Sequence, residues 1–338
     1  MRGTVAAVSI RPFRDGDESQ VLDLLRVSLG GRPAGTRAPD LFRWKHLENP
    51  FGRSMLFVGE ASGRIIGLRA FMWWRFEAGD QTITAVRAVD TATHPDFRGR
   101  GVFSELTRAA LDEARANADM VFNTPNEKSL PGYLKMGWVP VGRVPIAVRL
   151  RRPIAFFRTF RGGRPASARA PVGGLEAGEI LSDSEGVSEL LRRMQQPGPR
   201  LATPRSLEYL RWRYASAPVL DYRGVALRGP RGIDGLVFFR VRPRGGSWET
   251  TVSDVLVPSG NVSGAARLLR LVAMASRTDH LTCSFPRGSA ASRASRRAGY
   301  LRAPGGMTLV TNPLRAGITP NPTELRSWAL SLGDLEVF

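Results

Sequence analysis

The part of the sequence that decides the fold is residues 89–104, which read Val89-Asp90-Thr91-Ala92-Thr93-His94-Pro95-Asp96-Phe97-Arg98-Gly99-Arg100-Gly101-Val102-Phe103-Ser104. A strand-like run ends at Pro95, a glycine-containing loop follows, and an apolar helix is predicted to begin at about Val102. Glycines let the backbone approach a phosphate closely, and the free amide groups and dipole of a helix start favour an anion. The stretch therefore predicts a pyrophosphate-binding loop, although tight strand-to-helix turns also require glycine.

The residues around this loop alternate between helical and strand patterns. The predicted strands are residues 5–10, 55–60, 64–76, 81–93, 120–123 and 138–150, and the predicted helices are residues 17–29, 39–47, 103–116 and 127–136. The strands between residues 55 and 93 are separated by short turns and form an antiparallel meander. We therefore expect residues 1–150 to fold as one mixed α/β domain.

A change in composition follows this domain. Residues 151–174 are rich in Arg, Pro, Gly, Ser and Ala and have little periodicity, which is typical of a linker. Behind the linker the same order of predicted elements returns, so residues 175–338 form a second predicted domain. Two pairs of similar short segments support an internal repeat. In these, Arg43-Trp44-Lys45-His46 corresponds to Arg211-Trp212-Arg213-Tyr214, and Lys135-Met136-Gly137-Trp138 corresponds to Arg297-Ala298-Gly299-Tyr300.

The composition is that of a folded protein. Of the 338 residues, 42% are hydrophobic and 23% are charged. No apolar run reaches the roughly 20 residues that cross a bilayer, so we expect a soluble, cytoplasmic protein with no membrane partner. The single cysteine, Cys283, excludes a disulfide within the chain and is predicted to be a small buried residue. The histidines have no metal-ligand spacing, so no metal is expected.

The net charge of the chain is +19. A charge of this size attracts polyanions, and a cofactor rich in phosphate would feel the same field. The arginines are scattered along the sequence, and an arginine bias on a solvated surface explains them as well as a nucleic-acid footprint does. Nucleic acid is therefore an open partner that the sequence does not favour.

Two motifs resemble the GNAT (GCN5-related) N-acetyltransferase family. Arg98-x-x-Gly101 resembles the family's Arg/Gln-x-x-Gly-x-Gly/Ala loop, which holds the pyrophosphate of coenzyme A, and departs from it at Phe103. Tyr133-Leu134-Lys135-Met136-Gly137-Trp138 resembles the family stretch ending Tyr-x-Lys-x-Gly-aromatic. The resemblance implies two tandem GNAT-like folds. The first would bind acetyl-CoA or another acyl-CoA and transfer the acyl group to an amine of a small molecule, peptide or protein.

The resemblance also implies roles for single residues. Tyr133 would be the general acid that protonates the departing thiolate, since a hydroxyl with a pKa of about 10 is a sensible donor to a thiolate; the alternative for Tyr133 is packing between helix and sheet. Asp90 is a candidate general base, with water as the alternative. Asn126 would contact the cofactor, cap a helix, or do both. The implied cofactor-binding residues are Thr91, Ala92, Thr93, Arg98, Gly99, Arg100, Gly101, Val102, Phe103, Ser104 and Asn126.

The second half lacks these motifs. Residues 259–264 stand where the phosphate loop belongs but have no leading arginine, and Ser295 stands where Tyr133 would fall, so we expect no productive coenzyme A site there. Two alternative functions remain open. One is an aminoacyl-tRNA-dependent transferase, which tandem GNAT-like folds also serve and which the charge would suit. The other is a non-catalytic module, favoured if Phe103 closes the cofactor groove. The acceptor, the acyl chain length and the oligomeric state do not follow from the sequence.

Overall fold

The mixed α/β fold expected from the sequence is present in the computed structural model, which describes residues 7–28, 39–157, 172–194, 198–230 and 232–335. The strands in these ranges are β1 (Ser9–Pro12), β2 (Met55–Ala61), β3 (Arg64–Ala78), β4 (Gln81–Thr93), β5 (Met120–Asn123), β6 (Val139–Val144), β7 (Ala147–Leu150), β8 (Leu175–Glu176), β9 (Tyr222–Gly229), β10 (Gly232–Arg244), β11 (Ser247–Leu256), β12 (His280–Cys283), β13 (Leu301–Arg302) and β14 (Met307–Pro313). The α-helices are α1 (Glu18–Ser28), α2 (Pro39–His46), α3 (Val102–Asn117), α4 (Leu130–Lys135), α5 (Pro153–Phe157), α6 (Ala177–Ser182), α7 (Ser184–Arg193), α8 (Leu207–Leu210), α9 (Val262–Ser276), α10 (Ala290–Arg297) and α11 (Leu332–Leu335).

The chain forms two compact units, and neither is contiguous in sequence. The first unit contains Met1–Phe76, Thr82–Val141 and Leu309–Thr323. The second unit contains Glu77–Gln81, Gly142–Thr308 and Glu324–Phe338. The units therefore differ from the contiguous domains 1–150 and 175–338 expected from the sequence.

The first unit is built on a seven-stranded sheet with the order β1-β2-β3-β4-β5-β14-β6. β1 and β2 pair antiparallel, as do β2 and β3, whereas β4 and β5 pair parallel. Successive side chains of β3 enter cores on opposite faces, as strand geometry requires: Leu68 and Ala70 pack with α1, and Phe71 packs with α3. α3 lies close to β3 at Gly67, where a Cβ atom would be 2.8 Å from the Leu106 side chain.

The second unit has a sheet of the same design. Its order, β8-β9-β10-β11-β12-β7-β13, matches that of the first sheet position by position. β11 and β12 are the parallel pair, and β10 pairs antiparallel with both β9 and β11. Leu268, Leu269 and Val272 of α9 pack against Val237 and Phe239 of β10.

In each sheet one strand comes from the other half of the sequence. β14 pairs antiparallel with β5 in the first sheet, and β7 pairs antiparallel with β12 in the second. The register joins Val310 to Asn123 and Ala147 to Cys283. The period-two pattern of a strand shows which face is buried but not which sheet edge the strand joins, and for that reason the sequence did not predict this exchange.

Some element bounds also differ from those predicted. α4 is shorter than the predicted helix 127–136, because the Asn126 side chain accepts hydrogen bonds from the backbone of Lys128 and Ser129 and holds these residues in a turn. The predicted linker 151–174 contains α5, and its residues 158–171 lie outside the described part of the chain. β14 has no counterpart among the predicted elements. Within the described ranges, no helix has both the length and the apolar character needed to span a membrane.

Candidate active site in the first unit

The glycine loop predicted from the sequence connects β4 to α3. A short 3-10 turn, Pro95–Phe97, leads into Gly99 with φ of 74° and Gly101 with φ of 81°, conformations that favour glycine. Gly101 is the N-cap residue of α3 and has no side chain to accept an amide hydrogen bond. The first amide groups of a helix have no acceptor within the helix. At the start of α3 the amide of Ser104 donates to the carbonyl of Gly101 at 2.9 Å. The absence of a side-chain cap and the positive end of the helix dipole there favour an anion.

The Arg98 side chain holds this loop in place through two hydrogen bonds to backbone carbonyls. Its Nη2 donates to the carbonyl of Ser28 at 3.0 Å, and its Nε donates to the carbonyl of Thr93 at 3.4 Å. The guanidinium thus connects the loop to the last residue of α1 and to the end of β4. Arg100 is exposed and lies over the ring of Phe97, with 5.0 Å between the guanidinium carbon and the ring centroid. Of these two predicted phosphate contacts, Arg98 is held by the backbone and Arg100 faces solvent.

Tyr133, the predicted acid, is buried on α4 and is joined to β4 through Arg69. One nitrogen of Arg69, Nη1, donates to the Tyr133 hydroxyl oxygen at 2.9 Å and also to the Thr91 hydroxyl. The hydroxyl of Tyr133 is therefore brought to the end of β4, the strand whose residues 91–93 were predicted to contact the cofactor. Because a guanidinium can only donate, the Tyr133 oxygen accepts this bond and retains its own proton for another acceptor.

Arg69 is fully buried in an aromatic environment. Its guanidinium carbon lies 4.8 Å from the ring centroid of Phe71, 5.2 Å from that of Tyr133 and 5.7 Å from that of Phe103. Its Nε and Nη2 atoms have no hydrogen-bond partner among the described residues, and no described carboxylate pairs with it. A buried cation without a counter-ion is costly and is typical of functional sites.

Arg69 was not among the site residues predicted from the sequence. A signal was present, because Arg69 is the charged residue in the otherwise apolar run Ile65-Ile66-Gly67-Leu68-Arg69-Ala70-Phe71. A charge inside a strand that is buried on both faces requires an explanation.

Phe103 and Asn126 both precede Tyr133 in the sequence. The Phe103 ring, on the first turn of α3, meets the Tyr133 ring edge-on at a centroid distance of 5.9 Å. The large side chain at this position, where the resembling family has Gly or Ala, therefore packs α3 against α4. Asn126 is exposed, and its carbonyl oxygen accepts from the backbone amides of Lys128 and Ser129, both at 3.0 Å. These contacts are those of a capping residue.

Asp90, the candidate base, is held by two buried side chains of α2. Its Oδ2 atom lies 3.0 Å from Lys45 Nζ and 2.9 Å from His46 Nε2. Burial raises the pKa of Asp90, but the Lys45 charge and the His46 hydrogen bond outweigh burial and hold it well below the usual range. Burial lowers the pKa of His46, so this imidazole is neutral near pH 7. A carboxylate with these partners accepts a proton poorly.

One family model matches the part of the chain that contains β4, the glycine loop and α3. Residues 9–141 match the model of the acetyltransferase (GNAT) domain. Residues 9–141 form a GNAT acetyltransferase domain. The described residues contain no group of His, Cys, Asp and Glu side chains arranged to hold a metal ion.

Solved structures extend the likeness of fold to most of the chain. A GCN5-related N-acetyltransferase from Anabaena variabilis has a TM-score of 0.61 and 14% identity, with 91% of this chain and 73% of that chain covered. One from Kribbella flavida has a TM-score of 0.57 and 14% identity, with 90% and 71% covered. Eis1 from Mycobacterium abscessus has a TM-score of 0.54 and 14% identity, with 91% and 74% covered. No curated protein matches the chain in sequence.

Two local features of the second unit can be compared with Tyr133 and with the start of α3. The backbone amide of Trp138 donates to the carbonyl of Tyr133 at 3.2 Å, and that of Tyr300 donates to Ser295 at 3.0 Å. Ser295 therefore accepts the same local backbone bond, from the residue five positions later, that Tyr133 accepts in the first unit. At the start of α9 the N-cap is Asn261, whose side chain accepts the amide of Gly264 at 2.8 Å. The start of α9 therefore has a side-chain cap, whereas that of α3 has none.

Proposed function

We propose that the GNAT domain binds an acyl-CoA and transfers its acyl group to an amine. The observation that carries the proposal is the double hydrogen bond of Arg69, whose Nη1 donates to both Thr91 and Tyr133. This bond brings the buried tyrosine hydroxyl to the end of the strand that precedes the glycine loop. The two functions would then lie at opposite ends of residues 91–104. Proton donation by Tyr133 would take place near Thr91, and the anion would bind near the start of α3.

In the proposed reaction the amine nitrogen attacks the thioester carbonyl. A C–N bond forms, the C–S bond breaks, and the Tyr133 hydroxyl gives its proton to the departing thiolate sulfur. Arg69 stabilises the tyrosine oxygen as it loses that proton, because the guanidinium already donates to this oxygen. The glycine loop and the start of α3 hold the pyrophosphate of coenzyme A through backbone amides.

The proton of the attacking amine passes to water. The low pKa of Asp90 and its contacts with Lys45 and His46 make this carboxylate a poor general base. Asp90 instead fixes α2 against β4, which positions the end of that strand. In this proposal Asp90 is a positioning residue and not the base.

We further propose that the second unit is a degenerate copy of the GNAT domain. Three observations support the duplication: the matched strand order, the shared backbone hydrogen bond at residues 133 and 295, and a second shared bond. In the second bond the amide of Glu48 donates to Arg43 at 3.0 Å, and that of Ser216 donates to Arg211 at 2.9 Å. Equivalent backbone bonds at equivalent offsets favour descent from one ancestral domain.

Calorimetric titration with acetyl-CoA tests the binding step. We expect one site per chain, because Gly101 leaves the start of α3 without a side-chain cap and Asn261 caps α9. Release of free thiol in the presence of an amine library then tests the transfer. Two equivalent coenzyme A sites, or tRNA binding that excludes coenzyme A, would contradict the proposal.

A further inference from the structure

The second unit contains a cavity of about 520 Å³. Residues from the β6–β7 segment, from the loop after β12, from α10 and from the segment before α11 line it. The size lies in the range of small-molecule sites. Ser295 is one of the lining residues. The cavity therefore includes the residue that we propose corresponds to Tyr133.

The described lining residues are of two kinds. Buried apolar side chains, including Val144, Phe285 and Leu330, line the interior. The lining also contains arginines and no acidic residue: Arg143, Arg200, Arg287, Arg296, Arg302 and Arg326. Four of these, Arg143, Arg287, Arg296 and Arg302, are exposed and form no ion pair within the described part of the chain. The cavity therefore has an apolar interior and, at its edge, positive charges that no described carboxylate neutralises.

Two buried hydroxyl groups on the wall have no hydrogen-bond partner in the ranges that the structure describes. Ser284 is 2% exposed and Tyr300 is 1% exposed, and the oxygen atoms of both side chains lack partners among the described residues. A buried hydroxyl without a partner costs free energy, and a ligand that bonds to it recovers that cost. Cys283, also on the wall, has a thiol whose pKa burial raises, so it stays neutral.

We propose that this cavity binds an amphiphilic organic anion, a molecule with an apolar body and one carboxylate or phosphate head group. The apolar body occupies the interior beside Phe285. The head group bonds to Arg287 and Arg296, since arginine forms charge-assisted bonds with both kinds of anion. The hydroxyls of Ser284 and Tyr300 donate to polar atoms of the ligand. This site is independent of the function proposed for the GNAT domain.

Calorimetry of the full chain with three probes of the same chain length tests the proposal. We expect dodecyl phosphate and dodecanoate, both below their micellar concentrations, to bind with a stoichiometry of one. Dodecyltrimethylammonium, which has the same apolar chain and the opposite charge, should not bind. The tighter of the two anions identifies the head group. Binding of the cation as tightly as the anions would overturn the proposal.

Paired variants separate the cavity from the basic surface. Arg287→Gln/Arg296→Gln should weaken binding of the better anion by roughly tenfold or more, because bonds to charged groups are the stronger ones. The matched control, Arg108→Gln/Arg267→Gln, removes the same charge from two exposed arginines outside the cavity and should leave affinity within about twofold. Equal losses in the two pairs would assign the binding to surface charge and overturn the site.

Tyr300→Phe removes one hydroxyl and keeps the ring. Because that hydroxyl has no partner within the described residues, the variant should melt at the same or a higher temperature. It should also bind the anion several-fold more weakly, as loss of one hydrogen bond implies. A fall in melting temperature with unchanged affinity would show that the hydroxyl has a structural partner, which contradicts the proposed role.

Discussion

Nη1 of Arg69 lies 2.9 Å from the hydroxyl oxygen of Tyr133, in the buried interior of the GNAT domain. The arginine can only donate this bond, so the tyrosine proton is directed elsewhere. The pair therefore consists of an oriented proton donor and a fixed positive charge beside the oxygen that would become negative. This arrangement supports the proposed role of Tyr133 as the proton donor.

Tyr133→Phe should lower kcat by roughly 10²- to 10⁴-fold, the usual contribution of a general acid, while the affinity for coenzyme A changes little. Stability should fall by about 1–2 kcal/mol, because Arg69 loses a buried acceptor. Steady-state kinetics and denaturant unfolding measure the two effects. Ser295→Ala, the control in the second unit, should leave kcat unchanged. Full turnover in Tyr133→Phe would assign the tyrosine to packing.

Arg69→Met should lower kcat by roughly 10²-fold and leave the KM for acyl-CoA nearly unchanged, since the guanidinium acts on charge that develops during the reaction. Its stability should equal or exceed that of the wild type, because the variant removes a buried charge without a carboxylate partner. Arg69→Lys, which restores the charge, should recover part of the rate. A stability loss of several kcal/mol with an unchanged rate would be incompatible with this role.

Gly101→Ala should weaken coenzyme A binding by about tenfold and destabilise the protein by about 1–2 kcal/mol, the cost of a left-handed conformation for alanine. Gly260→Ala is a matched control: Gly260 has φ of 75°, open space around its Cβ position and a place at the start of α9. It should show the same loss of stability and no loss of affinity. Titration calorimetry and thermal unfolding check both. If both variants bind coenzyme A equally, the loop is not the phosphate site.

Stability should decrease as the pH falls through two ranges. The pKa of His46 is lowered by burial from 6.5, so the unfolded state binds more protons below about pH 6.5 and stability falls. The pKa of Asp90 is lowered from 3.8, so its contribution is present above about pH 4 and is lost as the pH falls further. Denaturant unfolding between pH 8 and pH 3 measures the curve.

Asp90→Asn removes the acidic phase of that curve. It should also cost roughly 2 kcal/mol at pH 7, less than a fully buried pair because a quarter of the Asp90 side chain is exposed. The acyl-transfer rate should change little if water accepts the amine proton. A rate loss of 10²-fold or more with intact stability would restore Asp90 as the base.

The sequence by itself determined the local elements and the position of the glycine loop. The meander between residues 55 and 93, the loop at Gly99 and Gly101, and the alignment of Ser295 with Tyr133 all follow from short-range patterns. Side-chain periodicity and glycine conformation depend on a few neighbouring residues, so one sequence contains the required information. The start of α4 differs from the predicted start of the helix, and the cause is also local: the Asn126 side chain holds Lys128 and Ser129 in a turn.

Only the tertiary structure decided which distant residues meet. Arg69 and Tyr133 are 64 positions apart, and Asp90 is 44 positions from His46. The exchange of β7 and β14 joins residues that are farther apart still. Strand pairing and side-chain contact across a sheet depend on register and edge choice, which no local pattern specifies. For this reason Tyr133 could be predicted as a candidate acid from the sequence, but the buried charge of Arg69 beside it is evident only in the folded chain.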